Sequence, residues 1–315
     1  MATNLSNLVL IVVDGVQIPV EQGDLNQGIQ MAMESGSHSV FPTTNYVQQK
    51  APVATFSTKA IDVALDAVGI NCLGLDSTST FDMYFADKLF QGTGTGNRRF
   101  YSNTGATKIT INSGFVLFDS LSAPAGGGAT ASFRVLAAGE TDAVGLVITP
   151  NSSVPDVTSG CLDYAFVVGP MKDSTGAEYP LTSWTYNSGI QEEYNYRNGL
   201  PTPAGVAINA YEPNFTIESN DKDLLDEFVS NDEIIGCLTD VTLFLRKTDL
   251  CQSRVPEATA EHIGFTIPSA TIFNTSASGG FRQSASYGFE LRPVLECNGS
   301  DPIISIDTTL AISPA

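Results

Sequence analysis

The sequence has little of what catalytic and metal-binding proteins commonly rely on. Only two histidines, His38 and His262, occur in 315 residues, and neither lies in an HExxH pattern. That leaves no zincin-type site and little choice of general base. The five cysteines, Cys72, Cys161, Cys237, Cys251 and Cys297, are odd in number and contain no CxxC pair. A chain of this length needs no disulfide staples, so buried free thiols are expected. No Gly-x-Ser-x-Gly elbow is present. Basic residues are scarce as well: 15 against 34 acids, a net charge of −19. Such a surface repels phosphates and argues against specific nucleic-acid binding; it reads first as a source of solubility, and it is compatible with a surface past which DNA slides without sticking. Long apolar runs are also missing. Leu8 to Val13 is six residues long with no basic residue before it, short of a secretory signal and far short of the ~18 residues of a membrane span. The chain is therefore expected to be made in a cytoplasm, to stay soluble and to have no membrane partner.

What is present is a β-type composition. Hydrophobic residues make up 42% and charged residues only 16%, below the roughly 25% usual in soluble domains. Ser, Thr, Asn and Gly supply the polar surface, which favours sheets, turns and packed interfaces.

The chain also repeats itself. Pro19 to Gln30 aligns with Pro180 to Gln191 at an offset of 161 without a gap, and both segments end Asn-x-Gly-Ile-Gln. Phe56 to Leu65 aligns with Phe215 to Leu224 at 159, and Phe81 to Phe85 with Val241 to Leu245 at 160. Val116-Leu117 aligns with Ile272-Phe273, and Phe133 to Val135 with Phe289 to Leu291, both at 156. Upstream, Leu8 to Val13 matches Tyr164 to Val168. Offsets this steady, in one order, predict a tandem duplication with short loop indels. The join falls in the Ser/Pro/Asp/Gly-rich stretch Asn151 to Gly160, giving copies over 1–155 and 156–315. Copy one holds 7 bases and 12 acids, a net of −5; copy two holds 8 and 22, a net of −14. Copies so unequal face different surroundings.

Each copy reads as about seven strands and one short helix: a mainly β fold, a β-sandwich or partly closed barrel with a flanking α-helix. Copy one opens on an apolar run and an Asp14-Gly15 hairpin turn; Gly169-Pro170 and Ser174 to Gly176 occupy the equivalent region of copy two. After Asn-x-Gly-Ile-Gln come two long polar loops, about Ala32 to Pro52 and Glu192 to Pro213. Helical spacing then appears at Ile61, Leu65 and Val68 behind Ser57 and Thr58 as caps, and at Leu224, Leu225 and Phe228 behind Ser219 and Asn220. Alternating strands resume at Thr80 to Phe85, Lys108 to Leu117 and Ala129 to Leu136, and at Asp240 to Leu245, His262 to Phe273 and Ala285 to Leu291.

Isolated motifs read as structure rather than chemistry. Gly92 to Gly96 lacks the Gly-Lys-Ser/Thr ending of a phosphate loop and reads as a hairpin tip, with Arg98-Arg99 as its solvated end. Asp221, Asp223, Asp226 and Glu227 lack the loop glycine of a calcium-binding EF-hand and read as a solvated helix face. No catalytic, cofactor-binding or metal-binding residue is expected, and no enzymatic activity.

The pattern resembles the tail tube proteins of long-tailed bacteriophages. The likeness is architectural and spans most of the chain: a sandwich-like domain, one flanking helix, a long loop after the second strand, and segments such as Pro52 to Thr58 and Ile263 to Pro268. The resemblance implies a virion protein assembled in the host cytoplasm, whose domains form rings that stack into a hollow tube. Members with two tube domains per chain form trimeric rings of pseudo-sixfold symmetry. Partners would be further copies of the chain, other tail or neck proteins, and DNA only as transiting cargo. Edge strands would join subunits and the two long loops would grip the next ring. The positions expected to serve assembly are Asn26, Gly28, Gln30, Asn187, Gly189 and Gln191, where strand becomes loop, and the loop tyrosines Tyr46, Tyr194 and Tyr196. A capsid or decoration protein is the first alternative. A carbohydrate-binding β-sandwich, for which the single Trp184 would have to be exposed in a cleft, is the second.

Overall fold

The computed structural model of the protein describes residues 6–34, 44–70, 72–87, 105–139, 145–155, 164–197, 199–228, 235–249, 253–281, 283–295 and 302–312. In the first half the elements are β1 (Ser6–Val13), β2 (Val16–Ile18), β3 (Gln22–Asn26), β4 (Ile29–Glu34), β5 (Thr44–Lys50), β6 (Val53–Thr58), α1 (Ile61–Val68), β7 (Cys72–Leu75), β8 (Phe81–Asp87), β9 (Ala106–Ile111), β10 (Gly114–Ala123), β11 (Thr130–Ala137) and β12 (Leu146–Ser152). The second half runs β13 (Tyr164–Lys172), β14 (Glu178–Tyr179), β15 (Ser183–Asn187), β16 (Gln191–Tyr196), β17 (Pro203–Ala210), β18 (Asn214–Ser219), α2 (Lys222–Phe228), β19 (Ile235–Asp249), β20 (His262–Gly280), β21 (Gln283–Pro293) and β22 (Ser305–Leu310). The fold is mainly β, and all its strand pairs are antiparallel.

Local sequence explains the strands. Val53–Thr58 and Ser183–Asn187 alternate apolar and polar residues, and every second side chain is buried. Asp14 and Gly15 take φ of 47° and 79° and close β1 onto β2 with Val13 opposite Val16, the two-residue turn that Asp-Gly favours. In the second half Gly169-Pro170 does not turn the chain. β13 passes through it with a bulge between Val168 and Met171, and the turn falls at Asp173 to Ala177, where the Asp173 carboxylate accepts the amides of Thr175 and Ala177. Those bonds outweigh the partial burial of Asp173 and hold its carboxyl below its ordinary range.

The helix starts differ from the expected caps. Thr58 Oγ1 accepts the Ala60 amide, and Ser219 Oγ accepts that of Asp221, so both hydroxyls shape the approach rather than cap the helix. In α2 the cap is Asp221, whose carboxylate accepts the Asp223 amide. The long polar segments are corrected too: they are not open loops but hairpins, β4–β5 and β16–β17, each a two-stranded ribbon of its own.

The remaining strands form two larger sheets. One has the order β12-β9-β8-β1-β2. The other follows the path β14-β13-β19-β20-β21-β18-β15-β10-β11-β6-β3 and so passes through both halves of the chain. It can do so because β10 pairs with β15, matching Ser120 to Asn187, Leu121 to Tyr186, Ser122 to Thr185 and Ala123 to Trp184. In the first half the chain breaks at Asn112-Ser113 between β9 and β10, whereas β20 runs unbroken through the corresponding region.

Registers repeat with the sequence offsets. Val116 opposite Val135 and a bulge after Phe118 become, 156 residues on, Ile272 opposite Leu291 and a bulge after Asn274. Gln22 opposite Ser57 becomes, 161 residues on, Ser183 opposite Glu218, which corrects the offset of 159 expected for Phe56 to Leu65: Ile217, not Phe215, stands where Phe56 stands. The core, by contrast, is one cluster across both halves. Phe56 stacks on Phe133 at 4.9 Å, and Phe118 on Tyr186 at 4.9 Å across the junction.

Candidate assembly surface

The six Asn-x-Gly-Ile-Gln positions build one turn twice. Asn26 Oδ1 accepts the Gly28 amide at 2.9 Å, and Asn187 Oδ1 accepts the Gly189 amide at 2.9 Å. Gly28 and Gly189 take φ of 57° and 59°. A Cβ would lie 2.1 Å from the Ala51 carbonyl oxygen in the first and 2.2 Å from that of Glu212 in the second. Glycine is required twice over, for the left-handed conformation and for the close approach. Each turn swings the chain out of the long sheet and into its hairpin. Gln30 and Gln191, the first or second residue beyond, are exposed.

The two hairpins then differ in what they meet. The base of β16–β17 lies on the first half of the chain. Ile190 is 9% exposed and packs with Leu117 and Leu136, and Tyr194 and Val206 join them. Arg134 on β11 donates to Glu192 at 2.6 Å and pairs with Asp119 at 3.1 Å, an ion triad that the sequence reading missed because its members are 15 and 58 residues apart. Burial, then Glu192 and Tyr196, push the Tyr194 phenol up to about 12 against the pull of Arg134. Burial alone raises Tyr196. On β4–β5 the corresponding residues are open: Ile29, the counterpart of Ile190, is 47% exposed, Met31 55%, Tyr46 49% and Val47 41%.

The long sheet ends on β3, which among the described residues pairs only with β6. On its outward face an uncharged polar row, next to a row that holds Asp24 and Arg134, runs Gln22, Ser57, Ser132, Ser120, Asn187, Asn214 across six strands and over the β10–β15 junction. Hydroxyls and amides in such a row offer hydrogen bonds to water without a fixed charge.

The other candidate residues are structural. Trp184 is fully buried and its indole N–H donates to the Phe244 carbonyl at 3.3 Å, so it lines no open cleft. Cys237 is exposed and Cys72 half-buried, which corrects the expectation of buried thiols at Cys237; Cys161, Cys251 and Cys297 lie outside the described residues, as do His38, Gly92 to Gly96 and Arg98-Arg99. Among the described residues no group of three or more His, Cys, Asp and Glu side chains could hold a metal ion, and no helix is long and apolar enough to cross a membrane.

His262 is fully buried at the start of β20. Its Nδ1 accepts the Lys247 amide at 3.1 Å, so Nε2 carries the proton and donates to the Pro256 carbonyl at 3.1 Å. Burial, assisted by Arg246, holds the imidazole below its ordinary value of 6.5, against the Pro256 bond and the charges of Glu257 and Glu261. Below that value the unfolded chain binds more protons than the folded one. Stability contributed by His262 is therefore present above pH ~6.5 and lost as the pH falls toward the lowered folded value. His262→Gln should flatten the fall in urea midpoint between about pH 7 and pH 5; an equal fall in both proteins would show that His262 does not govern it.

The fold and these surfaces define a β-sandwich protein whose central sheet joins the two chain halves edge to edge. No protein-family model and no curated protein sequence matches the chain.

Proposed function

We propose that this is a structural virion protein of the tail tube type: two tandem β-sandwich domains, joining near residue 155, that polymerise into stacked rings through which DNA passes. The observation that supports it best is the β10–β15 junction, where one sheet unit extends the next through backbone hydrogen bonds. A chain that adds like to like internally has the means to go on adding like to like. Three chains would then close a ring of six similar units, a trimer with pseudo-sixfold symmetry. The uncharged polar row from Gln22 to Asn214 and the net charge of −19 suit a lumen that lets DNA move without binding it. The exposed β4–β5 hairpin, with Met31 and Val47, is placed to grip the adjacent ring. The role is assembly rather than catalysis, and it needs no cofactor. A carbohydrate-binding role loses its one residue in the buried Trp184.

Electron microscopy of the purified protein tests the reading. Hollow tubes or stacked rings are expected; closed shells, or a chain that stays single at every concentration, would overturn it. Replacing residues 31–48 with a short Gly-Ser turn should leave rings but abolish stacking. Tubes of normal length from that variant would remove the hairpin from the stacking contact.

A further inference from the structure

The proposed self-assembly leaves open which edges meet, and the repeat of registers answers that. One edge of β10 is used twice. Gly114 to Leu117 pair with β7, from Leu75 back to Cys72, and Ser120 to Ala123 then pair with β15. The same edge of β20, 156 residues on, begins in the same way: Ala270 to Phe273 pair with β19, from Leu238 back to Ile235. The next step is missing. Ser276 to Gly279 pair with no strand on that side among the described residues, and Thr275 to Gly280 are all exposed. At the far end of the sheet, β3 stands where β15 stands in its own half, with Asp24 and Asn26 exposed. The chain thus ends on the two unlike edges that it joins once within itself.

We infer that β3 of one chain pairs antiparallel with the Ser276–Gly279 segment of a second copy of the chain, in the register of the internal junction. Adding 156 to the β10 positions and subtracting 161 from the β15 positions sets Ser276 opposite Asn26, Ala277 opposite Leu25, Ser278 opposite Asp24 and Gly279 opposite Gly23. The inference rests on the self-assembly reading and names its contact.

Two further features agree with this pairing. Ile29 follows β3 as Ile190 follows β15, yet Ile190 is 9% exposed and Ile29 47%; a second chain would cover Ile29 as the first half covers Ile190. Gly139, whose amide donates to Pro203 of the β16–β17 hairpin, corresponds to Leu295. Leu295 and its neighbour Val294 are 56% and 48% exposed, an apolar landing site for a second chain. The ion triad is not reproduced: Arg134 and Glu192 correspond to Glu290 and Met31, so this contact lacks the ion pairs of the internal one. The edges are heterologous, and such contacts close into rings or run on as filaments.

Disulfide trapping reads the register. Asp24 and Ser278 are both exposed, like their internal counterparts Thr185 and Ser122. In a Cys237→Ser background, Asp24→Cys and Ser278→Cys chains are mixed and oxidised, with Ser122→Cys/Thr185→Cys in one chain as the internal control. The expected result is a covalent dimer, formed roughly ten-fold more than from Asp24→Cys mixed with Ser276→Cys, because diagonal strand neighbours lie about 7–8 Å apart, beyond disulfide reach. Ala277→Lys, on an exposed edge, should abolish assembly while leaving the far-ultraviolet circular dichroism unchanged. Rings or tubes in the microscope without the 24–278 cross-link would overturn the pairing and leave self-assembly standing. A chain that sediments as a monomer at every concentration would overturn both.

Discussion

Trp184→Ala is expected to cost about 3–5 kcal/mol of unfolding free energy, the range for removing a large buried aromatic side chain. Trp184 is fully buried, its ring meets Phe265 edge-on at 5.2 Å and Phe215 at 6.0 Å, and its indole N–H is satisfied by Phe244. It also sits opposite Ala123 at the strand junction between the halves, so the cavity would open where the sheet is spliced. Trp184→Phe keeps most of the apolar volume and loses only the outer ring and one hydrogen bond, for which a smaller cost of about 1–2 kcal/mol is expected. Urea unfolding of the three proteins measures both. A cost below 1 kcal/mol for Trp184→Ala would mean that the core collapses freely around the site.

Gly189→Ala should be nearly as damaging. An alanine forced to φ near +59° costs about 1–2 kcal/mol from conformation alone, and its Cβ would meet the Glu212 carbonyl oxygen at 2.2 Å. A backbone oxygen cannot rotate away, so the turn itself must open, and a total of about 3 kcal/mol is expected. Gly28→Ala meets the same geometry against Ala51, but its hairpin is exposed and packs less of the core. The two variants should therefore part company: Gly189→Ala lowers global stability, whereas Gly28→Ala loosens β4–β5 with a smaller change in urea midpoint. Hydrogen exchange at Gln191 to Tyr196 and at Ile29 to Lys50 distinguishes them. Equal global losses would show that both hairpins are tied equally to the core.

If the edges of β3 and β20 meet between chains, the halves of this protein no longer do the same work. One junction is made during folding of a single chain and carries the Arg134, Asp119 and Glu192 triad. The other would be made on assembly and has no counterpart of that triad. Salt should then weaken the internal junction more than the contact between chains, because screening weakens attraction between opposite charges. The unequal charge of the halves, −5 and −14, fits surroundings that differ in this way.

Several features were legible in the sequence because their physics is local. Asp14-Gly15 needs no partner to favour its turn, and Asn-x-Gly specifies the bend at Gly28 and Gly189 through the Asn side chain and a residue without Cβ. Period-two alternation marked strands such as Ala129 to Leu136, and near-constant offsets aligned the halves before any coordinate did. The hairpins escaped notice for a physical reason. β4–β5 is largely exposed, and β16–β17 meets the first half through Glu192 as well as Tyr194, so neither shows an apolar alternation and both read as polar loops. Gly169-Pro170 misled because a bulge held by close approach to Phe244 uses the same residue types as a turn. What only the tertiary structure decided is nonlocal: that Trp184 points into the core, that Arg134 finds Asp119 and Glu192, and that one sheet and one core span both halves. Strand order depends on which edges are left unpaired after every hairpin has closed. That is a property of the whole chain, and among the described residues it leaves one edge of β3 and of the end of β20 unpaired.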